Sequence, residues 1–79
     1  MICMVTVLFF GPLAEIIGSN SLQVQDAVDT VTLQQLLSGR FPLLAQRKYA
    51  VAVNQTIVHQ NTALQPGSVV AFLPPFSGG

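Results

Sequence analysis

Residues 69–79 read Val69-Val70-Ala71-Phe72-Leu73-Pro74-Pro75-Phe76-Ser77-Gly78-Gly79, and this stretch decides the fold. Its first five residues are all apolar, which predicts a strand that is buried on both faces over residues 69–73. Pro74 and Pro75 cannot continue a strand ladder, so the strand ends there and the last residues project from the domain. We therefore expect a central strand that leads directly into a flexible C-terminal arm.

The beginning of the chain predicts a second central strand. Residues 2–10 are rich in β-branched and aromatic residues and are apolar on both faces. Gly11 ends this strand, and Pro12 is well placed at the first position of a short helix that runs through Ile17. Gly18 then supplies a left-handed cap.

The middle of the chain predicts one main helix. Thr32, with Gln35 three residues later, forms a capping-box pattern that starts the helix. We expect Gly39 to act as its C-cap, because the following Phe41-Pro42 step disfavours helical geometry at Phe41. The apolar stripe of this helix has three members at helical spacing: Leu33, Leu36 and Leu37. Whether residues 43–47 add further helix stays open.

Three shorter features complete the expected sheet. Residues 22–24 alternate apolar and polar side chains as a short strand does. Residues 49–53 and 56–59 predict a hairpin that turns at Asn54-Gln55, and Pro66-Gly67 marks a further turn. The chain is therefore expected to be a single α+β domain over residues 1–79, with a mixed sheet of about four to five strands on one main helix and residues 74–79 as the tail.

Two central strands with only one main helix leave one face of the sheet uncovered. Strand side chains alternate, so if Val5, Val7, Phe9, Val70 and Phe72 point to the helix, then Leu8, Phe10 and Leu73 point away from it. Ile57 on the hairpin is expected to join Phe10 and Leu73 in an exposed apolar patch. Such a patch is typical of a protein interface, although small elements or a homodimer could also cover it.

Composition excludes several classes of function. Net charge is zero, with three basic and three acidic residues, so the electrostatic signature of a nucleic-acid-binding protein is missing. The apolar N-terminal run is interrupted by Gly11-Pro12 and Glu15, well short of the ~20 residues that span a bilayer. The first basic residue is Arg40, so a basic signal-peptide region is also missing. We expect a cytoplasmic protein that does not bind membranes.

Individual reactive residues give no self-contained active site. Cys3 is the single cysteine and His59 the single histidine, so neither predicts a disulfide, a metal site or a catalytic triad. Cys3 is expected to pack as a small hydrophobe and His59 to be structural or solvated. Arg47 and Lys48 are expected to be solvated, with an acidic partner surface as the alternative. The chain therefore predicts no metal and no cofactor of its own, and it is not expected to be an enzyme by itself.

The C-terminal end carries the chemistry that the rest of the chain lacks. Gly78 and Gly79 have no Cβ, which allows the backbone to enter a narrow channel, and the Gly79 carboxylate is ionised at neutral pH. Such a carboxylate can attack the α-phosphate of ATP and form an acyl-adenylate that a sulfur nucleophile converts to a thiocarboxylate. A partner must supply the ATP site, because the chain has no phosphate-binding loop.

Three segments of the sequence resemble the MoaD family, the small subunits of molybdopterin synthase, which are ubiquitin-like β-grasp proteins. They are residues 7–10 leading to Glu15 and Gly18, the Ala52-Val53-Asn54-Gln55-Thr56 hairpin, and residues 70–79. The resemblance covers nearly the whole chain, and the last segment is the most specific.

The resemblance implies a role as sulfur carrier in molybdenum cofactor biosynthesis. An E1-like enzyme would use ATP to adenylate Gly79, and an indirect sulfur donor would then load it as a thiocarboxylate. The tail, Pro74, Pro75, Phe76, Ser77 and Gly78, would enter the large subunit of molybdopterin synthase, giving a heterotetramer in which sulfur passes to a pyranopterin precursor. Phe10, Ile57 and Leu73 match family residues that face the partner.

Two differences and two alternatives accompany this resemblance. Ser68-Val69 stands where relatives commonly have acidic residues, and Ala14 where a basic residue is frequent, so partner recognition is expected to depend on apolar contact. A thiamin sulfur carrier of the ThiS type shares the Gly-Gly end. A ubiquitin-like modifier, which joins its terminal glycine to lysines, is the alternative from a different class, as is a binding module that uses only the apolar face.

Overall fold

The two predicted central strands lie side by side in the middle of a mixed sheet. A computed structural model describes residues 4–75, and within them five strands pair in the order β2-β1-β5-β3-β4. Strands β1 and β5 are parallel, and the other neighbouring pairs are antiparallel. The strands are β1 (Met4–Phe9), β2 (Ser21–Gln25), β3 (Ala50–Val53), β4 (Thr56–Val58) and β5 (Val69–Leu73).

Helices α1 (Pro12–Ile17), α2 (Thr30–Arg40) and α3 (Pro42–Ala45) pack on one face of this sheet. The core contains Val5, Val7 and Phe9 of β1 and Val70 and Phe72 of β5, in the orientation that strand alternation predicts. The ring of Phe72 is fully buried. It meets Phe9 edge-on at 5.5 Å between centroids and stacks on Tyr49 at 4.7 Å. Aromatic contacts of this kind fix the position of β5, and with it the point where the tail begins.

The turns follow the residue types that the sequence provides. Gly18 adopts the left-handed conformation at the end of α1, as predicted. Asn54 and Gln55 have φ of 48° and 74°, which are the signs that a tight hairpin turn requires. Gly67 has φ of 86° in a turn that the Ser68 N–H closes on the Gln65 carbonyl oxygen at 3.0 Å.

The predicted start of the main helix is wrong. Helix α2 begins two residues earlier, at Thr30, and its N-cap is Asp29, whose carboxylate accepts a hydrogen bond from the Thr32 N–H at 2.8 Å. Asn61, from a distant loop, accepts a second hydrogen bond from the Val31 N–H at 3.0 Å. These two acceptors satisfy N–H groups that a helix leaves free at its first turn, so the capping box at Thr32 is not needed.

The predicted end of the same helix is also wrong. Gly39 lies inside α2, which continues to Arg40, and Phe41 ends it with φ of −129° and ψ of 83°. This extended geometry at Phe41 is the one expected before proline, and Pro42 then starts α3. Leu36 does not join Leu33 and Leu37 in the core, because 42% of its surface stays exposed.

The strand boundaries differ slightly from the prediction. The hairpin strands each lose one residue, since Tyr49 precedes β3 and His59 follows β4. Strand β1 ends at Phe9 rather than Phe10, and Ile2 and Cys3 lie outside the described residues. None of the helices formed by residues 4–75 has the length and apolarity that crossing a bilayer requires.

Candidate partner-docking face

The face of the sheet opposite the helices carries a shallow apolar depression of about 610 Å³. We call it the open face. It is lined by seven apolar residues and two amides: Leu8, Phe10, Ala52, Asn54, Gln55, Ile57, Val69, Ala71 and Leu73. Phe10 and Ile57 expose 45% and 46% of their surface within this one depression, and a contiguous exposed apolar patch of this kind is typical of a protein interface.

Strand register explains why this surface is concave. Leu8 pairs with Ala71, Ala71 with Ala52, and Ala52 with Ile57, so the four residues form one row across four strands. Side chains in such a row are neighbours on the same face of the sheet. The two alanines in the middle are short and the residues at both ends are bulky. The surface along the row is therefore low in the middle and raised at both ends, so that a protruding apolar side chain of a partner can fit into it.

Phe10 and Leu73 lie at the end of the open face where the tail begins. Phe9 pairs with Phe72 across β1 and β5, which brings the next residues of both strands to the same edge. Pro74 follows Leu73 and is half-buried, with its ring in van der Waals range of the Gly11 position. A partner that covers Phe10 and Leu73 would thus be next to the exit of the tail.

Asn54 holds the hairpin against β5 beside the open face. Its Oδ1 accepts a hydrogen bond from the Val69 N–H at 2.9 Å, and its own N–H donates to the Val69 carbonyl oxygen at 2.8 Å. Asparagine tolerates the left-handed backbone at this position, and its short amide reaches the neighbouring strand. These two bonds position the turn that leads into Ile57.

The structure brings the predicted interface residues together. Phe10, Ile57 and Leu73 line one depression, and of the two orientations that strand alternation allows, the structure has the assumed one, with Val5, Val7 and Phe9 buried on the helical side. Their role as a partner interface stays a prediction. Phe76, Ser77, Gly78 and Gly79 lie outside the described residues, so the predicted role of the tail stays a prediction. Sequence reasoning missed five residues of the lining, namely Ala52, Asn54, Gln55, Val69 and Ala71. The parity of Val69 and Ala71 with Leu73 was the available signal.

The titratable groups with altered pKa values lie on the helical side of the molecule. Hydrogen bonds from the Thr32 hydroxyl, the Thr32 N–H and the Asn61 amide lower the pKa of Asp29. Burial raises the pKa of Tyr49, with the opposing contribution of a hydrogen bond from Gln34. Neither residue lines the open face, and no group of three potential metal ligands occurs within residues 4–75. The open face is lined by apolar side chains and two amides, which suits it to contact with a partner.

Comparison with known families shows which family the chain belongs to. A family model described as the ThiS family matches residues 7–79. The chain belongs to this family. The match extends over the open face, the described prolines and the last two glycines.

Relatives of the ThiS-family chain confirm the resemblance seen in the sequence. The molybdopterin synthase sulfur carrier subunit of Escherichia coli (strain K12) is 40% identical over 81 residues, which cover 96% of this chain and 100% of that protein. A solved structure of a complex of subunits 1 and 2 of the molybdopterin-converting factor from Helicobacter pylori 26695 contains a chain that is 33% identical. It has a TM-score of 0.72 and covers 96% of this chain and 99% of its own.

The fold of this ThiS-family chain is the predicted ubiquitin-like β-grasp. The solution structure of small archaeal modifier protein 1 from Methanosarcina acetivorans superposes with a TM-score of 0.84, over 100% of this chain and 99% of that one. Sequence identity is 19%, so this likeness bears on the fold alone.

Proposed function

We propose that this chain is the sulfur carrier of molybdenum cofactor biosynthesis, and that its Gly79 carboxylate carries the sulfur as a thiocarboxylate. The observation that supports the proposal most strongly is the near-full-length similarity to a molybdopterin synthase sulfur carrier subunit. The position of the open face beside the tail exit supports it independently, because a partner bound there is well placed to receive the tail.

Loading requires two substitution steps at the C-terminus. A carboxylate oxygen of Gly79 attacks the α-phosphorus of ATP and releases pyrophosphate, which gives a mixed anhydride with AMP. A sulfide equivalent then attacks the acyl carbon and AMP leaves, so that sulfur replaces one oxygen. An E1-like partner would neutralise the phosphate charge in the first step, since the sequence has no phosphate-binding loop and only three basic residues.

Delivery requires the loaded tail to reach a second partner. The H. pylori complex of subunits 1 and 2 supports the large subunit of molybdopterin synthase as that partner. Phe10, Ile57 and Leu73 would bury their exposed surface against it, while Pro74 and Pro75 direct Phe76, Ser77 and Gly78 into its site. The Gly79 thiocarboxylate sulfur forms a bond to the pyranopterin precursor, and water then cleaves the acyl–sulfur bond, so that sulfur stays on the precursor and the carrier returns with a carboxylate.

The decisive experiment combines intact mass spectrometry with complementation. Chain isolated from its host is expected to include a species in which one terminal oxygen is replaced by sulfur. In a strain that lacks its own molybdopterin synthase carrier, the full chain should restore molybdenum-enzyme activity, and a variant that ends at Ser77 should not. If the truncated variant restores activity, the proposal is wrong.

Two further readouts separate the proposed carrier from a thiamin carrier and from a protein modifier. The chain would be assigned to thiamin synthesis if it restored growth without added thiamin in a strain that lacks its thiazole carrier, but did not restore molybdenum-enzyme activity. A ladder of larger conjugates that carry the chain on lysines, without a thiocarboxylate species, would indicate a protein modifier.

A further inference from the structure

Within residues 4–75, strand β2 forms one edge of the sheet, on the side away from the hairpin, and no described strand pairs with its outer side. Its other edge pairs with β1, and the Phe9 N–H donates to the Asn20 carbonyl oxygen at 2.9 Å, next to the Leu8–Ser21 pair. Hydrogen-bonded and non-hydrogen-bonded pairs alternate in an antiparallel ladder. The N–H and C=O groups of Ser21, Gln23 and Gln25 therefore face outward.

One of these three outward positions is already occupied by the chain itself. The Ser19 hydroxyl donates to the Ser21 carbonyl oxygen at 2.8 Å and accepts from the Ser21 N–H at 3.3 Å. Gln23 and Gln25 keep outward donors and acceptors at the spacing of a β-ladder. Natural edge strands are usually protected by charge, proline or a bulge, and Ser21–Gln25 has neither a charged residue nor a proline.

A groove of about 360 Å³ runs beside this edge, between β2 and α2. Val24 and Leu37 form part of its floor and are buried, whereas Leu36 exposes 42% of its surface above them. Leu36 is the one leucine of the predicted helix stripe that the core does not use. An apolar side chain from an added strand would remove its exposed surface from water.

Arg40 gives the groove its charge. It lines the groove near Gln25, it is exposed, and its guanidinium lies 5.6 Å from the centre of the Phe41 ring. Within residues 4–75 its charge is not paired with a carboxylate. An acidic side chain is thus the charged group that this end of the groove fits.

We propose that the edge of β2 and the groove beside it bind an extended segment of a partner protein by strand addition. The segment would hydrogen-bond to the backbone of Gln23 and Gln25, place apolar side chains over Val24 and Leu36, and carry an acidic residue next to Arg40. Strand addition draws affinity from main-chain hydrogen bonds and specificity from alternate side chains.

This surface is separate from the open face and from the tail. Strands β1 and β5 are parallel, so the tail leaves at the end of the sheet that carries Phe9. The groove lies at the opposite end of β1, next to Met4, and on the helical side. A partner can therefore hold the edge of β2 while the tail is engaged elsewhere, and this inference does not depend on the proposed function.

The test is an amide-resolved NMR titration of the full, isotope-labelled chain. The probe is a synthetic peptide, Val-Ile-Val-Ile-Asp-Asp, acetylated and amidated at its ends. We expect amide shift changes at Gln23, Gln25, Leu36 and Arg40, and none at Leu8 or Ala71. Changes confined to the open face, or no changes with about 1 mM peptide, would overturn the proposal.

Matched variants separate the backbone contribution from the side-chain contribution. Gln23→Pro removes an outward N–H and should weaken binding about tenfold, whereas Gln23→Ala keeps this N–H and should bind like the parent chain. Gln25→Pro makes the same test if Gln23→Pro fails to fold. Unchanged affinity in the proline variant that folds would refute strand addition.

Two further variants test the charge and the independence from the tail. Arg40→Glu should weaken peptide binding severalfold, and Arg47→Glu, which changes the net charge equally, should not. A chain that lacks Gly78-Gly79 should bind with unchanged affinity. Tighter binding in that chain would show that the tail itself occupies the groove, and concentration-dependent shifts at Gln23 and Gln25 without peptide would show self-association; either result would overturn the proposal.

Discussion

Replacement of Asn54 tests how the hairpin is held beside the open face. Asn54→Ala removes the acceptor that takes the Val69 N–H at 2.9 Å, which costs about 1 kcal/mol of net stability. It also places a Cβ-bearing residue without a polar side chain at φ of 48°, which costs roughly 1–2 kcal/mol more. The free energy of unfolding should therefore fall by about 2–3 kcal/mol.

Thermal unfolding monitored by circular dichroism measures this loss. For a domain of this size, about 2–3 kcal/mol corresponds to a fall in Tm of roughly 10–20 °C. Asn54→Gly loses the hydrogen bond but tolerates the backbone angle, so its Tm should fall by only about 4–8 °C. Asn54→Asp keeps both an acceptor and the tolerance of positive φ, and it should stay close to the parent chain.

The ordering of the three variants decides the outcome. If Asn54→Ala melts within about 2 °C of the parent chain, then neither the hydrogen bond nor the backbone angle matters and the reasoning is refuted. If Asn54→Gly melts as low as Asn54→Ala, the contribution assigned to the positive φ is wrong.

Three further predictions concern docking and pH. Ala71→Asp places a charge in the middle of the open face. Calorimetry should show that it weakens binding to a molybdopterin synthase large subunit at least about tenfold. The control Ala45→Asp changes an exposed residue outside the open face and should bind like the parent chain. Binding should change less than about twofold between about 0.1 and about 0.5 M NaCl, because the open face has no charged residue; a steep salt dependence would point to ion pairs instead. Because its pKa is lowered in the folded state, Asp29 stabilises the fold fully above its ordinary value of 3.8, and this contribution is lost as the pH falls to the lower folded-state pKa. Asn61→Ala lacks one hydrogen bond to Asp29. In denaturant unfolding at several acidic pH values, the free energy of unfolding of this variant should therefore fall less with decreasing pH than that of the parent chain.

The sheet could be predicted from the sequence because its signals are local. Alternation along residues 4–10 and 69–73 separates the side chains into two opposite sets, although both sets are apolar and the set that faces the helices had to be assumed, and Asn54-Gln55 marks the hairpin turn by residue type. The concave row of Leu8, Ala71, Ala52 and Ile57 could not be predicted, because it depends on the order and register of four strands.

The start of α2 was missed although its Asp29 cap is local, because Thr32-Gln35 offers a competing capping pattern and part of the stabilisation comes from a distant loop. Thr32 and Gln35 match a capping box in sequence, but Asn61 binds the first turn from a loop about thirty residues away, which allows α2 to start at Thr30. Gly39 matches a C-cap, yet a cap forms only where the backbone turns left-handed, and here the helix continues until Pro42 constrains Phe41.

The two alanines at the floor of the open face make this surface suitable for engineering an orthogonal pair. Ala71→Leu would fill the depression of the open face without adding charge, and it should exclude the natural partner by size alone. A partner whose protruding side chain has been shortened would then accept the enlarged carrier and reject the original one. If the chain carries sulfur as proposed, two such pairs in one cell would each transfer sulfur only within the pair.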